Sequence, residues 1–444
     1  MNSKSWRCVV CGYIHHGDAP PDECPVCGAG RDSFEPVQEK APVAAPAEGT
    51  ARIVVIGGGI AAVSAVEAAR RTSVDVKITM FSREPELPYY RLNLTRFLAG
   101  EIDEGELSIH PAAWYTERKI DVLTGAEAVS IRQKQIEIQG GKTTPFDKLI
   151  FATGAHAFLP PVPGSNQKKI ITLRTIEDAR GLVKALKPGM KCVCIGGGIL
   201  GLETAGALAR RGAAVALLEG HAYLMPRQLS SRAGEIMKEF IEGIGIRLKT
   251  NARIKEITGA GVLLENGETL PADQVIFTTG VRSNTHLARQ AGLAVNNGIV
   301  VDNHLQSTNP DIFAAGDSAE HNGILYGSWA AAQHQGSIAG MNAAGAQAEF
   351  GGIPRSHKLK VLGLNVTSIG TFEPDDGSFH VVEDEEGNRY RRFVFHDNRL
   401  VGAILLGDTS PSTVVTKAVE GRTDFSRVLS GPATAQAVVD SLVK

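Results

Sequence analysis

Aromatic residues make up only 6% of the 444 residues, and neither sign of charge dominates: Lys and Arg total 46 against 48 for Asp and Glu, a formal net charge of -2. A chain so balanced projects no global field to gather nucleic acid or an anionic membrane surface, and neither is expected as a partner. Long apolar runs are missing as well: the longest windows, near Val54 and Cys194, are each broken by three consecutive glycines, so no membrane span is expected. The opening MNSKSWRCVVCGY holds no apolar stretch long enough for a secretory leader, and the expected location is the cytoplasm. Cysteine is scarce beyond the start, because four of the six lie in the first 27 residues.

What is present is an ordinary globular composition, 43% apolar and 21% charged, with length for roughly two to four domains of about 100 to 200 residues each. The 49 glycines recur where an apolar run feeds a helical pattern. ARIVVI (51–56) is a short β-branched run followed by GGGIAAVSAVEAARR with helical spacing, then VKITMFS; KCVCI (191–195), GGGILGLETAGALARRG and AAVALLE repeat the order. Each is a βαβ unit. Residues 357–407 alternate apolar and polar positions, with turn chemistry at Gly387 and Asn398, and predict an antiparallel sheet.

The four early cysteines form two loops, Cys8-x-x-Cys11 and Cys24-x-x-Cys27, with twelve residues between them. Glycine follows the second cysteine of each loop, allowing a turn that points backbone N–H groups at sulfur. Four thiolates close a tetrahedral site with no open position, so its ion is either structural zinc or an iron that only exchanges electrons. The spacing fits both. His15 and His16 are surplus donors and read as solvated turn residues. Together Trp6, Cys8, Cys11-Gly12-Tyr13, Gly17, Ala19-Pro20, Cys24-Pro25, Cys27 and Phe34 resemble the short rubredoxin domain of rubrerythrins. That resemblance implies a mononuclear iron wrapped by the three aromatics, with zinc as the alternative ion.

Gly57-x-Gly59-x-x-Ala62 follows a strand and opens a helix: the first glycine makes the tight turn, and the second admits a pyrophosphate against the helix N-terminus. The next strand lacks an acid at its end, which leaves Glu84 to reach the ribose. Gly196-x-Gly198-x-x-Gly201 repeats the fingerprint with Glu219 in place. A carboxylate there accepts hydrogen bonds from an adenosine ribose and repels a 2′-phosphate, so NADH is expected over NADPH. Two strands end in Thr-Gly turns, at Thr153-Gly154 and Thr279-Gly280, and TNPDIFAAGD ends at Gly316-Asp317.

With the two fingerprints, these segments resemble the flavoproteins with two dinucleotide domains typified by disulfide reductases. The resemblance implies FAD at the first fingerprint, Asp317 on its ribityl chain, and a helix after Tyr326 aimed at the flavin. No cysteine pair follows the first fingerprint, and Cys192 and Cys194 alternate within a strand as small apolar residues, so thiol chemistry is not expected. Pro88-Tyr89-Tyr90-Arg91, LRTIEDA (173–179), Leu200-Gly201-Leu202-Glu203 and Met225-Pro226-Arg227-Gln228 are similar to NADH:rubredoxin reductases and to the flavin half of the nitrite reductase large subunit. That similarity implies Arg91 against the flavin, Glu203 near the nicotinamide, and Lys360 approaching the flavin from the last domain.

The expected fold is α/β: two Rossmann-like domains for FAD and NAD, a C-terminal α+β domain and a small N-terminal rubredoxin-like metal domain. The expected boundaries are 1–37 for the metal domain, 38–50 for an Ala/Pro linker, 51–160 with 281–345 for FAD, 161–280 for NAD, and 346–444 for a C-terminal interface domain that can form a homodimer. The expected function is electron transfer from NADH through FAD to the fused iron and on to an external acceptor such as a flavodiiron protein or a rubrerythrin. The alternative is an NADH oxidase that reduces oxygen directly, its N-terminal module a zinc-holding docking piece.

Overall fold

The first β-branched run becomes the strand Arg52–Ile56 in a computed structural model that describes residues 4–8, 13–24, 30–36, 51–353, 356–361, 363–374, 376–387 and 389–443. The linker expected at 38–50 lies outside the described residues, as do Cys11 and Cys27. The chain divides into two compact units, one of residues 1–93, 103–156 and 281–352, the other of 94–102, 157–280 and 353–444.

In the first unit, Arg52–Ile56 is the middle strand of a parallel sheet ordered Ile312–Ala314, Lys148–Phe151, Arg52–Ile56, Lys77–Phe81, Ile120–Leu123. Ile53, Val54 and Val55 are buried, as a strand covered on both faces requires, which is why this run shows no alternation. The helix Ile60–Thr72 leaves the fingerprint and meets the helix Trp329–Ala343 at backbone distance. A Cβ on Gly336 or Gly340 would stand 2.2 or 2.1 Å from the carbonyl oxygens of Ala61 and Ala65, so no larger residue permits this contact. The N-terminal module is an antiparallel sheet ordered Ile14–His16, Ser5–Cys8, Phe34–Pro36. Trp6 donates its indole N–H to the Gly17 carbonyl at 3.0 Å. His15 and His16 belong to a strand, a correction to their reading as turn residues.

In the second unit, Lys191–Ile195 is central in a parallel sheet ordered Ile170–Thr172, Gln274–Phe277, Lys191–Ile195, Ala214–Leu218, Arg247–Lys249. Cys192 and Cys194 are buried in it. Burial pushes the Cys192 thiol up to about 11, helped by Asp273, and raises Cys194 further. The short helix Leu94–Ala99 also belongs to this unit. The last segment is a five-stranded antiparallel sheet, ordered Ser356–Val361, Leu364–Gly370, Arg399–Leu406, Arg389–His396, Phe379–Glu386. Its hairpins turn through left-handed Gly387, Asp397 and Asn398, the chemistry expected at two of these positions. Helices Ser412–Glu420 and Ala435–Val443 close one face of the sheet over Phe393, Phe395 and Leu405, the first helix contributing Val415. The two parallel sheets and the α+β end agree with the fold expected from the sequence. No helix of the described residues is long and apolar enough to cross a membrane.

Candidate functional site

Gly57 adopts φ +140°, and a Cβ there would lie 2.0 Å from the Ala152 carbonyl, so the turn into the first helix admits only glycine. Gly59 caps that helix without any side-chain hydrogen bond, and a Cβ on it would meet nothing within 4 Å. The helices at Thr175, Ser230 and Ser328, by contrast, are capped by side-chain oxygens. The amide-lined end at Gly59 is therefore open to an anion. Ala62 is buried behind it. Thr153 donates its hydroxyl to the Asn284 carbonyl, and the Asn284 amide returns a bond to the Thr153 carbonyl, both at 2.8 Å. Gly154 follows with φ +63°. Gly316, at φ +75°, leads into Asp317, and its N–H donates to Gln335 Oε1 at 2.9 Å.

Glu84, expected at a ribose, and Arg91, expected against the flavin, are brought together. Arg91 and the Tyr89 hydroxyl each donate to the Glu84 carboxylate at 2.5 Å, and the Arg91 guanidinium lies 4.8 Å from the Tyr89 ring centre. Burial works against the Arg91 charge, but Tyr89, Glu84 and Asp317 more than offset it and hold its pKa above the ordinary arginine value. Two buried polar atoms of this unit, Asn93 Oδ1 and Gln335 Nε2, have no partner among the described residues. A nucleotide carrying a pyrophosphate and a polar ring edge, as FAD does, fits these groups and the open Gly59 amides.

The second fingerprint is tighter. Gly196 has φ +112°, a Cβ on Gly201 would lie 1.8 Å from the Gly196 carbonyl, and one on Gly197 would lie 2.8 Å from Glu219 Oε2. Glu219 is 7% exposed. It accepts from the N–H of Gly197 at 2.8 Å and of His221 at 2.7 Å, so its carboxylate is oriented before any ligand arrives. Gly198 caps the helix Ile199–Arg210 without a side-chain bond and faces open space, which fits a pyrophosphate as Gly59 does. Gly280 is left-handed, with φ +96°. Lys360 falls in the edge strand Ser356–Val361, opposite Asn365, in the second unit.

Glu203 stands on the helix of the second fingerprint, where the Thr95 hydroxyl donates to its Oε2 at 3.0 Å. Burial pushes its pKa up to about 7 against the pull of that bond, and Glu101 adds to the rise. A carboxyl raised in this way contributes stability that is complete below its unfolded pKa and is lost as pH climbs through its folded pKa. Glu203→Gln is therefore expected to melt about 2 °C or more above the parent near pH 8. The gain is expected to vanish near pH 5, where the parent carboxyl is already neutral; a gain equal at both, read by scanning calorimetry, would show that Glu203 does not titrate in this range.

Of the four cysteines expected around a metal, Cys8 and Cys24 are described. Both are buried, at 0% and 2% exposure, and Tyr90 joins them in one buried cluster. Tyr13 and Phe34 of the module pack against it, as do Leu92, Ile109 and Trp329 of the first dinucleotide domain. Two protected thiols in one buried cluster fit an ion held by thiolates, and the aromatic wrapping fits the iron reading. Trp329 opens its helix and stacks on Tyr90, with ring centres 5.6 Å apart and planes at 28°. Sequence reasoning had no role for Trp329, Asn93, Gln335 or Thr95. The sequence signal that points to the first is Ser328, an N-cap residue directly before an aromatic at the helix head.

Residues 51–348 match the pyridine nucleotide-disulphide oxidoreductase family, 356–423 the rubredoxin NAD+ reductase C-terminal domain, and 6–35 the rubredoxin-like domain of rubrerythrin. A nitrite reductase [NAD(P)H] of Bacillus subtilis is 32% identical over 387 residues, covering 85% of this chain and 48% of that protein. The chain spans about half the length of the nitrite reductase relatives it matches. An NADH-rubredoxin oxidoreductase of Clostridium acetobutylicum is 31% identical over 381 residues, 85% of this chain and 97% of that one. The crystal structure of NADH:rubredoxin oxidoreductase from that organism aligns with a TM-score of 0.75 and 30% identity, over 88% of this chain and 100% of the other.

Proposed function

This chain belongs to the pyridine nucleotide-disulphide oxidoreductase family, FAD-dependent enzymes that use NAD(P)H, and from that premise we propose that it passes electrons from NADH through FAD to an iron held by its own N-terminal cysteines, and on to an external acceptor. The observation that carries this reading is the seating of Cys8 and Cys24 against Tyr90, in a cluster that Trp329 borders. Tyr90 adjoins the Arg91–Glu84 pair, so the sulfur site and the first nucleotide site share one loop. The family's thiol chemistry has no counterpart here, because no cysteine follows the first fingerprint until Cys192 and Cys194, which are buried with raised pKa values.

When bound, FAD supplies a hydride acceptor that can release electrons singly, and an iron on four thiolates supplies a one-electron carrier. The chain supplies position. Gly57, Gly59 and the amides of the first helix hold a pyrophosphate, Asp317 lies beside Gly316 for the ribityl chain, and the Arg91–Glu84 pair fixes a charge at the flavin site. Glu219 orients the NADH ribose, and Gly196, Gly198 and Gly201 admit its pyrophosphate. Glu203 and Lys360 are proposed near the reacting rings. No general base is needed, since hydride transfer depends on placement and on a water-poor site. The acceptor is proposed to be a soluble iron protein of the flavodiiron or rubrerythrin kind, two one-electron deliveries following each NADH.

The test is electron paramagnetic resonance of the anaerobic protein with metal content measured on the same sample. A high-spin ferric signal that NADH removes is the expected result. Zinc in protein produced with iron supplied, or a ferric signal that outlasts bleaching of the flavin, would overturn the relay and favour direct reduction of oxygen.

A further inference from the structure

Tyr90, Leu92, Ile109 and Trp329 make an apolar face on the first unit, and the chain's own N-terminal module already sits on it through Cys8, Cys24, Tyr13 and Phe34. We propose that this face is a seat for small iron carriers of the four-thiolate kind and that the fused module holds it in competition with any free carrier, so that outside partners draw electrons through the module and not beside it. The inference rests on the relay proposed above and adds an exclusion that the relay does not require.

The face is built in advance. Tyr90 N–H donates to the Leu107 carbonyl at 2.7 Å and Ile109 N–H to the Pro88 carbonyl at 3.1 Å, and Tyr89 bridges Ser108, so the two loops that carry the face are pinned to each other. Little ordering remains to be lost when a partner docks. Two stacked aromatics with the aliphatic Leu92 and Ile109 in the same cluster are what the desolvated core of an interface is made of. Sulfur against aromatic rings adds contacts that suit a thiolate cage. The fused module also needs no diffusion. A short tether holds it at an effective concentration of order millimolar, so a free carrier at about ten micromolar is outcompeted about a hundredfold.

The balance is simple: NADH yields NAD+, one proton and two electrons, and each ferric carrier that is reduced takes one. Full-length protein holding FAD and metal is titrated by calorimetry with a single-domain rubredoxin loaded with zinc, which can dock but cannot accept electrons. The ferric form of the same rubredoxin is mixed with NADH-reduced protein and reoxidation of the flavin is followed. Tyr13→Glu unseats the module and is expected to tighten zinc-rubredoxin binding and speed reoxidation by about tenfold or more. Ile109→Glu damages the seat itself and is expected to give no gain in either. A module that unfolds on substitution vacates the seat as well, so both variants remain readable.

The inference is overturned if Tyr13→Glu binds and reacts like the parent, if Ile109→Glu gains as much, or if reoxidation by ferricyanide, which needs no seat, rises equally. Failure of NADH to reduce the module's own iron would instead strike the relay, and the zinc titration does not depend on it.

Discussion

Cys8→Ser is expected to leave reduction of the flavin by NADH near the parental rate while electron delivery to an acceptor with no four-thiolate iron of its own, which cannot take a vacated seat, falls by about a hundredfold or more, beyond the usual cost of losing an outer-shell partner. The two halves separate because they use different parts of the chain. NADH meets the flavin through the glycine fingerprints and Glu219, and no atom of the N-terminal module belongs to either fingerprint. Cys8, by contrast, has no exposed surface and lies in the cluster with Tyr90. A serine oxygen is a harder and weaker ligand than a thiolate, so the ion is lost or its potential shifts. Cys24→Ser should behave alike, being buried in the same cluster. Flavin bleaching in a stopped-flow instrument reads the first half, and steady reduction of a flavodiiron protein without a rubredoxin domain reads the second. Equal delivery by parent and variants would mean that the flavin feeds the acceptor directly.

Glu219→Ala is expected to raise KM for NADH by about 10- to 100-fold, the equivalent of one charge-assisted hydrogen bond of about 1.5 to 3 kcal/mol. It is also expected to narrow or abolish the preference over NADPH, because the carboxylate that repels a 2′-phosphate is gone. Part of the loss comes from the protein alone, since the N–H groups of Gly197 and His221 that bond Glu219 would be left unpaired. Glu219→Gln removes the charge but keeps an acceptor oxygen for only one of those N–H groups, which bond different carboxylate oxygens, and turns an amide donor toward the other, so it should recover part of the structural loss and none of the discrimination. Steady-state kinetics with both nucleotides decides the matter, and a selectivity ratio equal to the parent's would remove Glu219 from the ribose.

The elements most legible in the sequence are those governed by local chemistry. Gly57 and Gly196 sit at positive φ against a neighbouring carbonyl, a demand that only glycine meets, so the fingerprints announce themselves. The C-terminal sheet is visible because alternation and left-handed turn residues act within a few positions. What escapes is what joins distant positions. Thr95 meets Glu203 across 108 positions, and neither carries a pattern that names the other. Tyr90 stacks on Trp329 although each reads alone as one more apolar residue. Glu84 and Arg91 were assigned separate tasks, and only the folded loop shows them as an ion pair. Burial of Cys8 and Cys24 beside a second domain is likewise a product of tertiary packing, about which two CxxC loops carry no information.

The buried pair in the strand Lys191–Ile195 has a practical corollary. With both thiols held up by burial, Cys192 and Cys194 present almost no thiolate near neutral pH, and alkylating reagents have no nucleophile to capture there. The other four cysteines of the chain all lie within its first 27 residues. Label taken up by the protein therefore comes from the N-terminal module, and because Cys8 and Cys24 are themselves buried, iodoacetamide counts sulfurs that have both let go of an ion and opened to solvent, with neither a redox partner nor a spectrometer tuned to the flavin.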